Sequence, residues 1–404
     1  SRGAFRSPTL ARAPFPGGVM GGAFGPTFPR QLTRHGRPAA WRLGRLVLSM
    51  LVVVTGVVSI AGIALADPLV RLFASGFAAV PGKLELTVTL ARVMFPFLVL
   101  VALAVAFMGM LNALRHFFVP ALSPALFNVG AIVSAVGVVP LMPWFGWPPM
   151  MGLAIGTLLG GLLQALVQWP ALRREGFRYR FELAPRDPGV REVLWLMVPG
   201  TVGLAAVQVN VFVNTVLATG QGTGAVSWLD YAFRLMYLPI GIFGVSIATA
   251  ALPTISSYAA REDVAGMRAT VSSGLRLMLM LNVPATVGLI VLASPIVRLI
   301  YERGRFTPED TAATAAALMF YAPGLVGYSA VKIASPTFYA LRDSRTPVAI
   351  SMLSVAANVA FNLALVQVLG YRGLALGPAL SPLLNAGVLL WLLRGRLARL
   401  EGRP

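Results

Sequence analysis

The sequence predicts an all-α integral membrane protein made of two equivalent helical lobes, and three observations support this fold class. First, 57% of the 404 residues are hydrophobic and 12% are charged, whereas a soluble chain carries about 25% charged residues. Second, apolar runs of about 18 residues or more recur, and each is long enough to cross a bilayer as a helix. Third, short patterns of the first half return in the second half at a constant spacing.

Ten segments meet the requirements of a membrane-spanning helix. A spanning segment must satisfy its own backbone hydrogen bonds because the bilayer core holds no water, so these runs are expected to be helical. Pro and Gly within several of them are tolerated where neighbouring helices pack around a kink. In chain order, the predicted spans are 46–66, 88–112, 120–142, 150–171, 193–218, 232–254, 270–293, 311–334, 347–369 and 373–394.

The distribution of basic residues orients these spans. One set of alternate loops carries 21 basic residues and the other set carries seven, and such a bias marks the cytoplasmic side. Loops 172–192 and 255–269 and the C-terminus are therefore predicted to be cytoplasmic. The net charge of +19 is then a consequence of membrane topology, and no nucleic-acid partner is expected.

An internal repeat relates the two halves. A shift of 227 residues places PLVRL at 68–72 on PIVRL at 295–299. At a shift of 221, GLAIGTLLGGLLQALVQ at 152–168 shares nine of 17 positions with GLALGPALSPLLNAGVL at 373–389. One period contains six spans, an even number, so both copies are expected to have the same orientation. Such parallel repeats are related by an axis along the membrane normal.

The repeat predicts an N-lobe over residues 1–171, a cytoplasmic linker over 172–192 and a C-lobe over 193–404. The N-lobe is expected to be incomplete, because residues 1–30 occupy the place of the helix at 232–254. The counterpart of the first C-lobe helix would precede residue 1. The N-terminal stretch SPTLARAPFPGGVMGGAFGPTF contains four prolines and five glycines, and each interior Pro costs a helix about 3 kcal/mol.

Three stretches carry a family resemblance. Residues 226–256 read VSWLDYAFRLMYLPIGIFGVSIATAALPTIS, and residues 299–350 read LIYERGRFTPEDTAATAAALMFYAPGLVGYSAVKIASPTFYALRDSRTPVAI. Together with LNALRHFFVPALSPALFNV at 111–129, they resemble the lipid II flippase family (MurJ/MviN) of the multidrug/oligosaccharidyl-lipid/polysaccharide (MOP) exporter superfamily. The resemblance implies two six-helix lobes around a central cavity and a C-terminal helix pair. The first helix and that pair of the family are expected to be absent here.

Three cationic side chains are candidates for a substrate site. Arg234 and Lys332 are the two basic residues within predicted spans, and a cation at mid-bilayer costs about 2.5–3.5 kcal/mol, so it usually faces a cavity or a partner. Arg234 can pair with Asp230 or hold pyrophosphate oxygens through its planar fork, and the resemblance implies a role of this region in the cavity. Lys332 lies about 15 Å from the cytoplasmic end of its helix, where a substrate contact and a structural pair both stay open. Arg12 matches an arginine of the family's second-helix motif.

Polar side chains of the span at 193–218 complete the candidate site. Gln208 and Asn214 resemble polar positions of the family, and Asn210 lies between them. Amides within membrane helices either join neighbouring helices or contact a substrate, and the sequence leaves both interpretations open.

No enzymatic site, cofactor or metal site is predicted. Neither His35 nor His116 belongs to an H-E-x-x-H motif, and GKL at 82–84 lacks the Ser or Thr of a phosphate-binding loop. None of the fourteen acidic residues lies within a predicted span, and cysteine is absent. Transport is therefore expected to be driven by an ion or voltage gradient, or by partners.

The resemblance implies a flippase rather than an enzyme. It would move lipid II, the undecaprenyl-pyrophosphate-linked disaccharide-pentapeptide, across the bacterial cytoplasmic (inner) membrane by alternating access, and so serve peptidoglycan biosynthesis, the cell wall and cell shape. Its partners would be lipid II and membrane lipids, with cell-wall synthesis proteins as further candidates. Two alternatives stay open: an exporter of another lipid-linked saccharide or a drug, and an inactive scaffold for the cell-wall machinery.

Overall fold

The computed structural model describes residues 18–401, without the side chains of 18–26, 75, 79, 196–207, 209 and 398–401. Within that range the chain is almost entirely helical and forms no β-strand. The α-helices are α1 Gly18–Ala64, α2 Ala66–Phe73, α3 Lys83–Met94, α4 Phe97–Ala113, α5 Phe118–Val133, α6 Pro149–Leu166, α7 Trp169–Arg174, α8 Pro188–Thr219, α9 Ala225–Pro239, α10 Ser246–Ala260, α11 Val264–Val291, α12 Ala293–Tyr301, α13 Pro308–Tyr321, α14 Gly324–Ala340, α15 Arg345–Leu369 and α16 Tyr371–Glu401.

The structure confirms the all-α membrane fold. In the described part of the chain, eight helical runs are long and apolar enough to cross a membrane, and α13 with α14, bent by 43°, can form a ninth. These runs coincide with nine of the ten predicted spans. The tenth prediction, 193–218, falls in α8, where the backbone is helical but many side chains lie outside the description.

Several spans are longer than the sequence predicted. The run that contains the predicted helix 232–254 extends over Ala225–Ala260 and includes Asp230. The expectation that no acidic residue lies within a span is therefore wrong at this end. The hydrophobic window used for the prediction begins after the last charged residue, whereas the helix itself continues to Gly224, whose φ of 104° ends the regular backbone.

The spans expose large apolar side chains, as helices in contact with lipid do. Ile60, Val136 and Val368 are 70%, 74% and 82% exposed. Exposed apolar area on this scale is rare on soluble proteins and marks contact with a membrane or a partner. The outward side chains of the spans therefore fit an environment of acyl chains.

The predicted repeat is visible in the helix boundaries. Helices α4 and α14 begin and end 227 residues apart, at Phe97–Ala113 and Gly324–Ala340. The helix breaks before them occur at Pro96 and Pro323, which have the same separation. Since each proline lacks a backbone N–H, the same residue interrupts the same helix in both halves.

Equivalent hydrogen bonds accompany these breaks. Ser59 Oγ donates to the carbonyl of Phe95 at 2.9 Å, and Thr286 Oγ1 donates to the carbonyl of Ala322 at 3.5 Å. Both donors and both acceptors are 227 residues apart. In each half, a hydroxyl group thus binds a carbonyl beside the interrupting proline, as is usual where a proline disrupts a membrane helix.

The turns after α4 and α14 are also equivalent. Arg115 and Arg342 both have positive φ angles, of 66° and 58°. The next residue in each turn makes an ion pair: His116 Nε2 lies 2.8 Å from Glu175 Oε1, and Arg396 Nη2 lies 2.7 Å from Asp343 Oδ2. The two pairs occupy equivalent positions with their charges exchanged, so this contact is repeated in geometry rather than in sequence. Hydrogen bonds from Thr346, assisted by Arg396, hold the pKa of Asp343 below its usual value.

Small residues allow the last two helices of each half to approach closely. A Cβ atom at Gly160 of α6 would lie 2.7 Å from the carbonyl oxygen of Phe127, and one at Gly373 of α16 would collide with the carbonyl oxygen of Leu365. These glycines belong to small-xxx-small stripes, which let membrane helices pack backbone to backbone. The stripes are Gly152, Gly156 and Gly160 on α6, and Gly373, Gly377 and Ser381 on α16.

The chain divides into two compact units, Ser1–Leu72 with Ala78–Ala205 and Phe73–Phe77 with Ala206–Pro404. The first has a core around Met110, Leu111 and the loop residue Phe177. In the second, one buried cluster surrounds α9 and α13, and another joins α11, α14 and α16. The division falls within α8, which is one uninterrupted helix, and segment 172–192 packs onto the first unit.

Candidate functional site

Helix α9 presents a polar stripe opposite its buried face. Asp230, Arg234 and Tyr237 follow one another at intervals of four and three residues, and all three are exposed. Leu235 and Met236 lie on the other side of the helix, in the core of the second unit. Residues three or four apart share a helix face, so the sequence of α9 places its charged residues together on one surface.

The structure pairs the two charged residues of this stripe. Arg234 Nε donates to Asp230 Oδ2 at 2.8 Å, and the two side chains are 70% and 54% exposed. Such a pair on a helix surface contributes about 0.3–0.5 kcal/mol. A guanidinium group has five N–H donors, and among the described contacts Asp230 engages just one of them. Both terminal nitrogens of Arg234 are therefore available to an anion.

Aromatic residues that the sequence analysis did not single out surround this pair. The ring of Tyr231 lies 4.8 Å from Tyr301 and 5.7 Å from Phe306, measured between centroids. Burial raises the pKa of Tyr301, against a smaller lowering by Arg234. Tyr231 precedes Arg234 by three residues, and this spacing is the signal that could have placed it on the same side of the helix.

Asn214 lies in a network of amides that joins α8 to α15. Asn362 Nδ2 donates to Asn214 Oδ1 and, at 2.7 Å, to Asn358 Oδ1. Asn214 Nδ2 donates to Asn210 Oδ1 at 3.5 Å. Asn358 and Asn362 are buried, at 2% and 0% exposure. This geometry gives Asn214 an interhelical role, and its contact with a substrate stays a prediction.

The remaining predicted site residues lie apart from this arrangement. Gln208 on α8 and Lys332 on α14 are both exposed. Within the part of the chain that the structure describes, no hydrogen bond or ion pair joins either of them to Arg234. Arg12 lies outside the described residues. The structure therefore brings together Arg234 with Asp230, and Asn214 with Asn210.

We expect Asn362→Ala to destabilise the protein by about 1–3 kcal/mol, because it leaves the acceptor oxygens of Asn214 and Asn358 buried without their shared donor. The measurement is the thermal unfolding midpoint of the purified chain in detergent. Gln208→Ala is the control, because it removes an exposed amide from the same region and is expected to leave the midpoint unchanged. Equal midpoints for the Asn362 variant and the parent chain would contradict a structural role for the network.

Comparison with known proteins relates the whole chain to one family. The family model for the lipid II flippase MurJ matches residues 3–403. The chain is 35% identical over 397 residues to the probable lipid II flippase MurJ of Bdellovibrio bacteriovorus, covering 97% of this chain and 74% of that protein. It is 34% identical over 397 residues to the lipid II flippase MurJ of Burkholderia cenocepacia, covering 97% and 76%. The chain thus spans about three quarters of these relatives.

Solved structures show the same fold. A lipid II flippase MurJ in an inward closed conformation aligns with a TM-score of 0.80 at 24% identity, covering 93% of this chain and 77% of that one. An inward-facing MATE multidrug resistance transporter of the MOP superfamily aligns with a TM-score of 0.81 at 17% identity, covering 96% and 87%. With a family model that matches nearly every residue and relatives that align over most of their length, the chain belongs to the MurJ family of lipid II flippases.

Proposed function

We propose that the chain translocates lipid II across the bacterial inner membrane by alternating access. Family membership supports the substrate, and the spanning helices support an inner-membrane location. The lobes 1–171 and 193–404 would rock about the substrate, so that the polar head crosses while the lipid tail stays in the bilayer. The protein is then a transporter of peptidoglycan synthesis rather than an enzyme. Cell-wall synthesis proteins would be its partners in the membrane.

The exposed guanidinium group of Arg234 is the observation that carries this proposal. An arginine within a spanning helix is costly when it faces hydrocarbon, so it usually faces water or a polar partner. Asp230 binds Nε and leaves the terminal nitrogens free, and these match the oxygens of a pyrophosphate in a two-pronged contact. Arginine stays protonated throughout a transport cycle, which suits a headgroup that stays anionic.

The other predicted residues have subsidiary roles in this proposal. Lys332 and Arg12 would add positive charge along the path of the headgroup, and Gln208 and Asn214 would supply amides. The aromatic rings beside Arg234 offer apolar faces of the kind that pack against sugar rings. The basic bias of the loops supports a cytoplasmic position for segment 172–192 and for the end of α16.

The test is to deplete a bacterium of its own lipid II flippase and supply this chain. We expect growth without lysis, and lipid II that becomes accessible to a labelling enzyme added outside the inner membrane. Growth without newly accessible lipid II would favour the scaffold alternative. Translocation of another lipid-linked saccharide, but not lipid II, by the purified chain in vesicles would favour the second transport alternative. Failure of both readouts at normal membrane abundance would contradict the proposal.

A further inference from the structure

All acidic side chains of segment 172–192 turn toward helix α1. Four arginines along the first half of α1 receive them, and together they form a ladder of ion pairs within the first unit. The pairs are Arg30 with Glu192, Arg37 with Glu175 at 3.2 Å, Arg42 with Asp187 at 3.8 Å, and Arg45 with Glu182 at 3.5 Å. The negative charge of the segment is thereby neutralised on its inner side.

Aromatic packing fixes the same segment in place. Phe177 is fully buried, and its ring centroid lies 5.2 Å from that of Trp41 on α1 and 6.2 Å from that of Trp169 on α7. The Tyr179 hydroxyl lies 3.3 Å from Ser49 Oγ, which also accepts the backbone N–H of Glu182. The segment is therefore a docked part of the first unit, with a defined inner and outer side.

The outer side of the segment carries only positive charge. Six arginines are exposed there, and within the described part of the chain none of them makes an ion pair. We call them the basic face, and they are Arg173, Arg174, Arg178, Arg180, Arg186 and Arg191. Beside them Phe181 is 57% exposed and Trp195 is 72% exposed. A charged surface interspersed with exposed aromatic rings is thus held rigidly where the spanning run Pro149–Arg174 ends and α8 begins.

We infer that the basic face binds the headgroups of anionic phospholipids at the membrane surface. Clustered arginines next to a spanning helix attract anionic lipids, and exposed Trp and Phe side chains insert at the level of the headgroups. The position at the end of a spanning run favours a lipid over a soluble acidic protein, because the face borders the bilayer. This binding is separate from lipid II transport, since it involves neither α9 nor Arg234.

The ion-pair ladder explains why the face is positive. If the four acidic residues were turned outward, they would offset four of the six arginines. Because α1 supplies its own arginines to neutralise them, the outer charges act on the surroundings alone. Attraction between exposed charges is screened at high ionic strength, so lipid selectivity at this face should weaken as salt is added.

The test uses the full purified chain in detergent, with phosphatidylglycerol and phosphatidylethanolamine competing in equal amounts, and counts bound lipids by native mass spectrometry. We expect the parent chain to prefer phosphatidylglycerol by about fivefold or more, and R174Q/R178Q/R180Q to reduce this preference to about twofold or less. The matched control R303Q/R305Q/R372Q removes the same charge from exposed arginines of the second unit, and it should keep the parent's preference.

A second variant separates charge from folding. R174K/R178K/R180K keeps the positive charge and should retain the preference, and all variants should share the parent's thermal midpoint. A loss of preference in the lysine variant would show that charge is not the cause and would overturn the inference. Equal binding of both lipids by the parent chain would also overturn it, and would leave the basic face to a soluble acidic protein.

Discussion

Arg234→Ala is expected to abolish rescue of a flippase-depleted bacterium, although the variant reaches the membrane in normal amounts. Each hydrogen bond to a charged group contributes about 1.5–3 kcal/mol when its partner is buried from water, so the loss of one such bond weakens binding about tenfold to a hundredfold. Two would be lost with the terminal nitrogens of Arg234. The readouts are colony growth after depletion, membrane abundance, and lipid II accessible outside the inner membrane.

Arg298→Ala is the matched control. Arg298 is 74% exposed and lies 3.4 Å from Glu302, four residues further along α12, so it has nearly the same local environment as Arg234 with Asp230. Both variants lose one exposed ion pair, which is worth little to stability. If Arg298→Ala grows normally and Arg234→Ala does not, the difference arises from what Arg234 binds.

The outcome that would contradict the cationic mechanism is equally specific. Rescue that survives the combined variant R12A/R234A/K332A would show that positive charge along the path is dispensable. Arg234→Lys adds a graded test, because lysine keeps the charge but lacks the planar fork. We expect it to support slower growth than the parent, and faster growth than Arg234→Ala.

The sequence predicted the spans because hydrophobicity and length are physical requirements of crossing a bilayer. It predicted less well where the helices begin, since polar residues such as Asp230 continue a helix past its apolar stretch. The pairing of Arg234 with Asp230 could be expected from their spacing of four residues. The aromatic neighbours Tyr301 and Phe306 could not, because they reach α9 from a distant part of the chain.

Contacts between distant segments were the features that the sequence could not predict. The ladder between α1 and segment 172–192 depends on which arginine faces which carboxylate, and a basic composition fits many pairings. Asn358 and Asn362 carried a weak signal, because amides four residues apart in an apolar helix mark a face that needs polar partners. The pairing of His116 with Glu175 and of Asp343 with Arg396 was hidden by the exchange of charges between the two halves.

The second large effect concerns the close packing of the last two helices in each half. We expect Gly160→Val and Gly373→Val each to destabilise the protein by about 1–3 kcal/mol or more, because the added side chain meets backbone atoms that cannot move aside. The measurement is the thermal unfolding midpoint in detergent. The repeated glycines in the two windows of α6 and α16 would then be preserved for helix packing.

Gly387→Val is the control in the same helix as Gly373. No atom lies within 4 Å of a Cβ at Gly387, and valine has a somewhat better helix propensity than glycine, so the midpoint should stay level or rise slightly. Gly160 and Gly373 contact different residues, so their effects should add in the double variant. A midpoint for Gly373→Val as high as that of Gly387→Val would mean that α15 and α16 can move apart at little cost. The repeated glycine stripe would then have lost its physical explanation.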